Sequence, residues 1–182
     1  MTTAKVLIVF HSSEGQTAKI ADRLADTLRN AGIEVDIELA EHAPAPTTYD
    51  GVVLGDSIHQ GHHSRALERY IAHHADELAG QPVALFQVSL TSANDDAEHS
   101  ATAHAMVHRL LDDTGLDPDM VGLFAGALAY TRYGWLKRRI MRRVVAAEGG
   151  DTDTSTDHEY TDWDAVAEFA TDFAGLLASR VR

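Results

Sequence analysis

The chain has 182 residues, 45% hydrophobic and 24% charged, which is material for one domain with its own core and excludes a disordered or low-complexity protein. Its 28 acidic residues exceed its 15 basic ones, and a net charge of −13 repels phosphate backbones, so no nucleic-acid binding is expected. The absence of cysteine excludes disulfides, thiolate metal sites, iron–sulfur ligation and thiol nucleophiles, leaving any redox chemistry to a bound cofactor. Val6 to Phe10 is an unbroken apolar run, the pattern of a strand buried on both faces. It is too short for a secretion signal or a membrane span, so a cytoplasmic location is expected. After the loop His11 to Gly15, Thr17 to Asn30 sets Ile20, Leu24 and Leu28 on one helical face, ahead of Gly32. Ile33 to Leu39 alternates apolar and acidic residues as a half-exposed strand does; Pro44 and Pro46 then bar regular structure before a buried strand at Gly51 to Gly55.

Leu67 to Leu78 reads as one amphipathic helix and Pro82 to Val88 as the next buried strand. Glu98 to Leu111 is a helix with Met106, Leu110 and Leu111 toward the core, and Val121 to Leu128 is a last buried strand. There follow a basic segment from Trp135 to Val145, a polar loop from Glu148 to Glu159, and a closing helix from about Trp163 to Leu177. This alternation predicts an α/β fold: a doubly wound, five-stranded parallel sheet in the order 2-1-3-4-5, with the exposed second strand at an edge and helices on both faces. A single domain over residues 1–182 is expected.

In such a sheet ligands bind at the carboxyl ends of the strands. The loop after the first strand reads His11-Ser12-Ser13-Glu14-Gly15-Gln16-Thr17, hydroxyls and a glycine at a helix start. Helix N-terminal amides and hydroxyls suit a phosphomonoester without any lysine. The segment lacks G-x-x-x-x-G-K-[ST] and G-x-G-x-x-G, which disfavours a nucleoside triphosphate or a dinucleotide. Ser12, Ser13 and Thr17 equally suit plain helix capping, and from the residues alone both readings stand. The spacing S-x-x-G-x-T resembles the FMN phosphate loop of the flavodoxin family, [TS]-x-T-G-x-T, with Ser12, Gly15 and Thr17 at its matching positions. Glu14 stands where that family often has threonine, so the resemblance requires its carboxylate to point away from the phosphate.

The resemblance implies a flavodoxin-like fold with FMN as cofactor, held by Ser12, Ser13, Glu14, Gly15, Gln16 and Thr17. The second loop, Gly55 to His63, would hold one side of the flavin ring through Ser57, Ile58, His59, Gln60 and Gly61. The third, Ser89 to Asp96, would close over the other side through Ser89, Leu90 and Thr91, with Ser92 and Asn94 also of hydrogen-bonding type. Zinc at His59, His62 and His63 is a minority alternative, because no carboxylate or cysteine completes an ordered ligand set. His104 and His108, four apart on a helix, are explained more simply as an exposed face. No metal is expected.

Nearly end to end, the chain resembles one subfamily, the flavodoxin-type protoporphyrinogen IX dehydrogenases that pass electrons to menaquinone. The matching stretches are F-H-S-S-E-G-Q-T at Phe10 to Thr17, G-D-S-I-H-Q-G-H at Gly55 to His62, A-G-A-L-A-Y-T-R-Y at Ala125 to Tyr133, G-G-D-T-D-T at Gly149 to Thr154, and Y-T-D-W at Tyr160 to Trp163. The later stretches have no counterpart in a simple electron carrier, so an extra segment at about 129–163 is expected to serve the substrate. The departures are His59 and Gln60, where arginine and tyrosine are usual, Asp56 in place of a small residue, and an insertion after Val88 that is short and acidic where family members can be basic; each is expected near the substrate face. The resemblance implies an FMN oxidoreductase acting on protoporphyrinogen IX in haem biosynthesis, with a quinone as acceptor. Tyr130, Tyr133 and Trp135 would supply a flat surface and Arg132 a cation for the propionates. The flavin carries the chemistry, so no catalytic side chain is assigned. An electron-transfer flavodoxin or a general quinone reductase is the alternative. Lys137, Arg138, Arg139, Arg142 and Arg143 flank an apolar strip of Trp135, Leu136, Ile140 and Val144. That helix suits peripheral contact with an anionic membrane through Trp135 to Arg143, packing on the sheet edge, or the propionates.

Overall fold

A computed structural model of the protein describes residues 3–93, 97–128, 142, 145–146, 153, 155 and 157–180. Strand β1 (Lys5–His11) lies inside a five-stranded sheet with β2 (Glu34–Leu39), β3 (Gly51–Ser57), β4 (Val83–Ser89) and β5 (Met120–Ala125). The order is β2-β1-β3-β4-β5 with every neighbouring pair parallel, as expected. Successive side chains of a strand point to opposite faces, so the apolar run of β1 serves two cores at once. Val6, Ile8 and Phe10 pack with Ile20, Leu24 and Leu28 of α1 (Gln16–Asn30) and with Phe169 and Phe173 of the closing helix Trp163–Arg180, here α5. Leu7 and Val9 pack on the other side with Leu67 and Ile71 of α2 (Arg65–His73), Leu78 of α3 (Ala75–Ala79) and Leu110 of α4 (Ala97–Thr114). Each fully buried side chain of this kind contributes about 1.5 to 3 kcal/mol. Strand β2 carries one buried residue, Val35, in keeping with its place at the edge.

Four boundaries differ from the sequence expectation. The helix expected over Leu67 to Leu78 is two helices, broken at His74, whose φ of −116° and ψ of 27° leave the helical region. His74 stacks on Tyr70 at 4.7 Å between ring centres, and the following turn restarts with Asp76 and Glu77, acidic residues favoured at a helix N-terminus. Strand β3 continues past Gly55 through Asp56 and Ser57, which pair with Gln87 and Val88 of β4. Strand β5 ends at Ala125, and Gly126 turns the chain out of the sheet while its amide donates to the Ser89 carbonyl at 3.1 Å. Ala127–Leu128 (β6) then pairs antiparallel with His158–Glu159 (β7), inside the stretch expected to be polar loop.

Gly55 shows why a glycine stands in a buried strand, since a Cβ there would collide with the ring of Phe86, its partner on β4. The register matters most for function. His11 lies opposite Asp56, Ser57 opposite Val88, and Ser89 opposite Ala125, so four strands end flush and their loops emerge side by side.

Candidate functional site

The first loop turns from β1 into α1 through Gly15, whose φ of 95° only glycine adopts readily. Ser12 Oγ accepts from the Gly15 amide at 3.0 Å, and the amide and hydroxyl of Ser13 reach Ser57 Oγ at 3.3 and 3.4 Å. Both serines are thereby engaged within and between loops, and no side chain among the described residues caps α1. The capping alternative for Ser12, Ser13 and Thr17 is therefore set aside. Thr17 is 1% exposed, and its Oγ1 has no hydrogen-bond partner among the described residues. A buried hydroxyl without a described partner, beside the positive end of a helix whose first-turn amides have no intrahelical partner, has the chemistry to receive an anion's oxygen. A phosphomonoester fits it. Glu14 is half-buried and lines a small hollow with Lys19, His158 and Glu159.

The second loop is more regular than its sequence indicates. Ile58 donates to the Val88 carbonyl at 2.9 Å, and His59 and His62 exchange backbone hydrogen bonds at 3.0 and 3.1 Å. Between them Gln60 and Gly61 have φ of 52° and 79°, positive at both central positions as a type I′ hairpin turn requires. The turn presents His59, Gln60 and Gly61 to solvent. Asp56, expected near the substrate face, is instead completely buried beneath it. Its Oδ2 accepts from the Ser64 amide at 2.6 Å and lies 3.3 Å from Nδ1 of His63, whose side chain is also buried. Asp56 therefore braces the turn from inside, because its place in the ladder points it into the core beside Gln87 rather than up toward a ligand. His63 faces inward while His59 and His62 stay outside, and among the described residues no group of three or more His, Asp or Glu is placed to hold a metal.

In the third loop Ser89 is buried, bonding Ser92 through both hydroxyls at 2.8 Å and through the Ser92 amide at 3.2 Å, which folds Thr91–Ala93 into a single 3₁₀ turn. Leu90 and Thr91 are half-buried on that turn. Ser12 to Thr17, Ser57 to Gly61 and Ser89 to Thr91 thus come together on three adjacent loops at the carboxyl end of the sheet's central strands. Asn94, Tyr130, Arg132, Tyr133 and Trp135 lie outside the described residues, as does most of the basic segment; Arg142 is exposed and Val145 buried.

Sequence reasoning missed a fourth contributor. The amide of Tyr160 donates to the Gly126 carbonyl at 3.2 Å, and Thr161 Oγ1 donates to the Ala125 carbonyl at 2.8 Å while accepting from Gln16 Nε2 at 2.8 Å. Glu159 accepts from Trp163 Nε1 at 2.7 Å and from Lys19 Nζ at 3.2 Å. Desolvation pushes the Glu159 carboxyl up, but the hydrogen bonds from Trp163, Lys19 and Gln16 outweigh it and hold the group below the ordinary glutamate value. Y-T-D-W was visible as a motif, yet nothing in its local pattern points Thr161 at residue 16.

A flavodoxin domain model matches residues 7–155, a span that holds all three loops. The protoporphyrinogen IX dehydrogenase (quinone) of Escherichia coli K12 is 35% identical over 174 residues, covering 94% of this chain and 96% of that protein. The protein of the same name from Leishmania major is 36% identical over 176 residues, covering 94% of this chain and 75% of its own length. The crystal structure of oxidised flavodoxin 2 from Bacillus cereus superposes with a TM-score of 0.58 at 22% identity, over 95% of this chain and 99% of that one, a likeness of fold. With a matching domain model over most of its length and two relatives of common name each aligned over 94% of this chain, the chain belongs to the flavodoxin-domain family, in the group of the protoporphyrinogen IX dehydrogenases (quinone).

Proposed function

We propose that the protein is an FMN-dependent oxidoreductase that removes hydrogen from protoporphyrinogen IX and passes the electrons to a quinone, menaquinone in its cell, as a step in haem synthesis. The observation that carries the cofactor is the buried hydroxyl of Thr17, which has no partner among the described residues, at the start of α1, which no described side chain caps. The E. coli and Leishmania relatives, named for this reaction and matched over nearly all of this chain, support the substrate and acceptor. Thr17 Oγ1 and the first-turn amides of α1 bind the FMN phosphate, and Ser12, Ser13 and Gly15 shape the loop that presents them. Riboflavin lacks that phosphate, so the site discriminates between the two. The type I′ turn at Gln60 and Gly61 offers backbone donors and acceptors at one side of the ring, and Leu90 and Thr91 flank the other. When bound, the flavin supplies hydride or electron transfer at its N5, so the chain needs no general base of its own.

Tyr130, Arg132, Tyr133 and Trp135 are proposed to receive the porphyrinogen, with Arg132 pairing a propionate. They belong to the extra segment 129–163 of a single domain, which an electron shuttle does not need. No described helix is long and apolar enough to cross a membrane; a cytoplasmic location with peripheral contact through Trp135 to Arg143, where a quinone is met, completes the proposal. The deciding experiment is anaerobic. The purified protein should carry extractable FMN and oxidise protoporphyrinogen IX in the presence of menaquinone, and Arg132→Glu should abolish most of that turnover with FMN still bound. A protein that binds FMN and reduces quinones but leaves protoporphyrinogen untouched is a general quinone reductase or an electron carrier instead.

A further inference from the structure

We propose that Thr161 is a positioning residue for the cofactor phosphate: acting through Gln16, it fixes the first turn of α1 at the height and angle the phosphate requires. The proposal rests on the reading that this helix start receives FMN. Gln16 is the first residue of α1 and is 8% exposed, and its side-chain amide donates to Thr161 Oγ1 at 2.8 Å. A threonine hydroxyl has one proton, and that of Thr161 is given to the Ala125 carbonyl, at 2.8 Å, where β5 ends. The direction of the chain is therefore fixed, from Gln16 to Thr161 to the sheet.

The first turn needs such an anchor. Gly15 has positive φ and no side chain, and among the described residues no side-chain cap holds the start of α1. Ser12 and Ser13 tie the loop to itself and to Ser57, before the helix begins. Gln16 is the first helical side chain to reach another element, and Lys19, one turn on, meets Glu159 of the same C-terminal segment. That segment is itself fixed at the sheet end, where Tyr160 bonds Gly126. The strand edge thus sets where the amides and hydroxyl of the first turn stand relative to the other two loops. Bonds from such donors to a phosphate weaken when the donors move by about 0.5 Å, so the position of the turn should show in affinity.

Thr161→Val keeps the side-chain shape and removes both hydrogen bonds. FMN and riboflavin titrations of the apoprotein, followed by quenching of flavin fluorescence, separate a phosphate effect from a general one. Thr161→Val should weaken FMN roughly tenfold, the loss of about one hydrogen bond, with riboflavin unchanged within about twofold. Thr161→Ser should restore FMN binding. Gln16→Leu breaks the same link from the other end together with the Gln16 bond to Glu159, so its loss should be at least as large and the double variant should be no worse than Gln16→Leu alone. Equal weakening of FMN and riboflavin, or a fall in thermal stability with their ratio unchanged, would show a merely structural threonine and overturn the proposal. Should Thr161→Val fail to fold, the Gln16→Leu ratio decides alone. A parent protein that binds riboflavin as tightly as FMN would instead remove the phosphate reading on which the proposal stands.

Discussion

Thr17→Val should act with opposite sign on the empty and the FMN-loaded protein. In the empty protein Oγ1 is buried without a hydrogen-bond partner among the described residues, a state that costs about 1 to 3 kcal/mol. Valine has the same branched shape and a similar helix propensity, so its methyl removes that cost without leaving a void. The empty variant should be more stable by about 1 to 2 kcal/mol, which for a chain of this size raises Tm by about 2 to 4 °C per kcal/mol. If Thr17 receives the FMN phosphate as proposed, the loaded parent gains a hydrogen bond from its hydroxyl to a charged oxygen, worth about 1.5 to 3 kcal/mol, and the variant cannot form it. FMN should then bind about 10- to 150-fold more weakly, with riboflavin unaffected. Calorimetric scans of both proteins, flavin-stripped and with saturating FMN, check the two signs together. A variant that is less stable when empty and binds FMN as the parent does would mean that the hydroxyl serves the fold, and the phosphate would have to be sought elsewhere.

Asp56→Ala removes the acceptor of the Ser64 amide and the buried companion of His63, and should cost about 2 to 4 kcal/mol in urea unfolding. Adding His63→Leu should recover a good part of that loss; strictly additive losses would show the two groups to be uncoupled. At the other end of the sheet, the hydrogen bond from Lys5, joined by that from the Tyr49 hydroxyl, holds the Asp36 carboxyl below its usual value. A carboxyl depressed on folding contributes in full above its unfolded value and loses that contribution as pH falls through the folded one. Asp36→Asn should therefore flatten the acid limb of stability below about pH 4, by a small amount because the pair is partly exposed; an acid limb of unchanged slope would refute the link.

The sheet was legible because its signal is local and redundant. Five contiguous apolar residues in β1, each buried, admit little but a central strand, and alternation in β2 marks an edge. The boundaries were less so. Leu67, Ile71 and Leu78 keep a helical spacing on both sides of His74, so the period runs unbroken across the interruption and hides it. Asp56 and Ser57 extend β3 because strand pairing is made by backbone, which polarity patterns do not report. The same blindness put Asp56 at the ligand face: the residue order shows a carboxylate beside a loop, and only the pleat says which way it points. The three loops were found because the fold class dictates where strands end. The contribution of Thr161 was not, since a contact across 145 positions leaves no mark on either neighbourhood.

That separation also orders events during synthesis. A ribosome adding about 5 to 20 residues per second needs about 7 to 29 s to travel the 145 positions from Gln16 to Thr161. Through that interval a nascent chain can pair β1 with β2 and β3 and expose the phosphate loop, yet α5 and the Thr161 bond do not exist. If Thr161 positions the phosphate loop as proposed, seating of the flavin awaits translation of the segment that carries it, long after every residue of the three loops has been made.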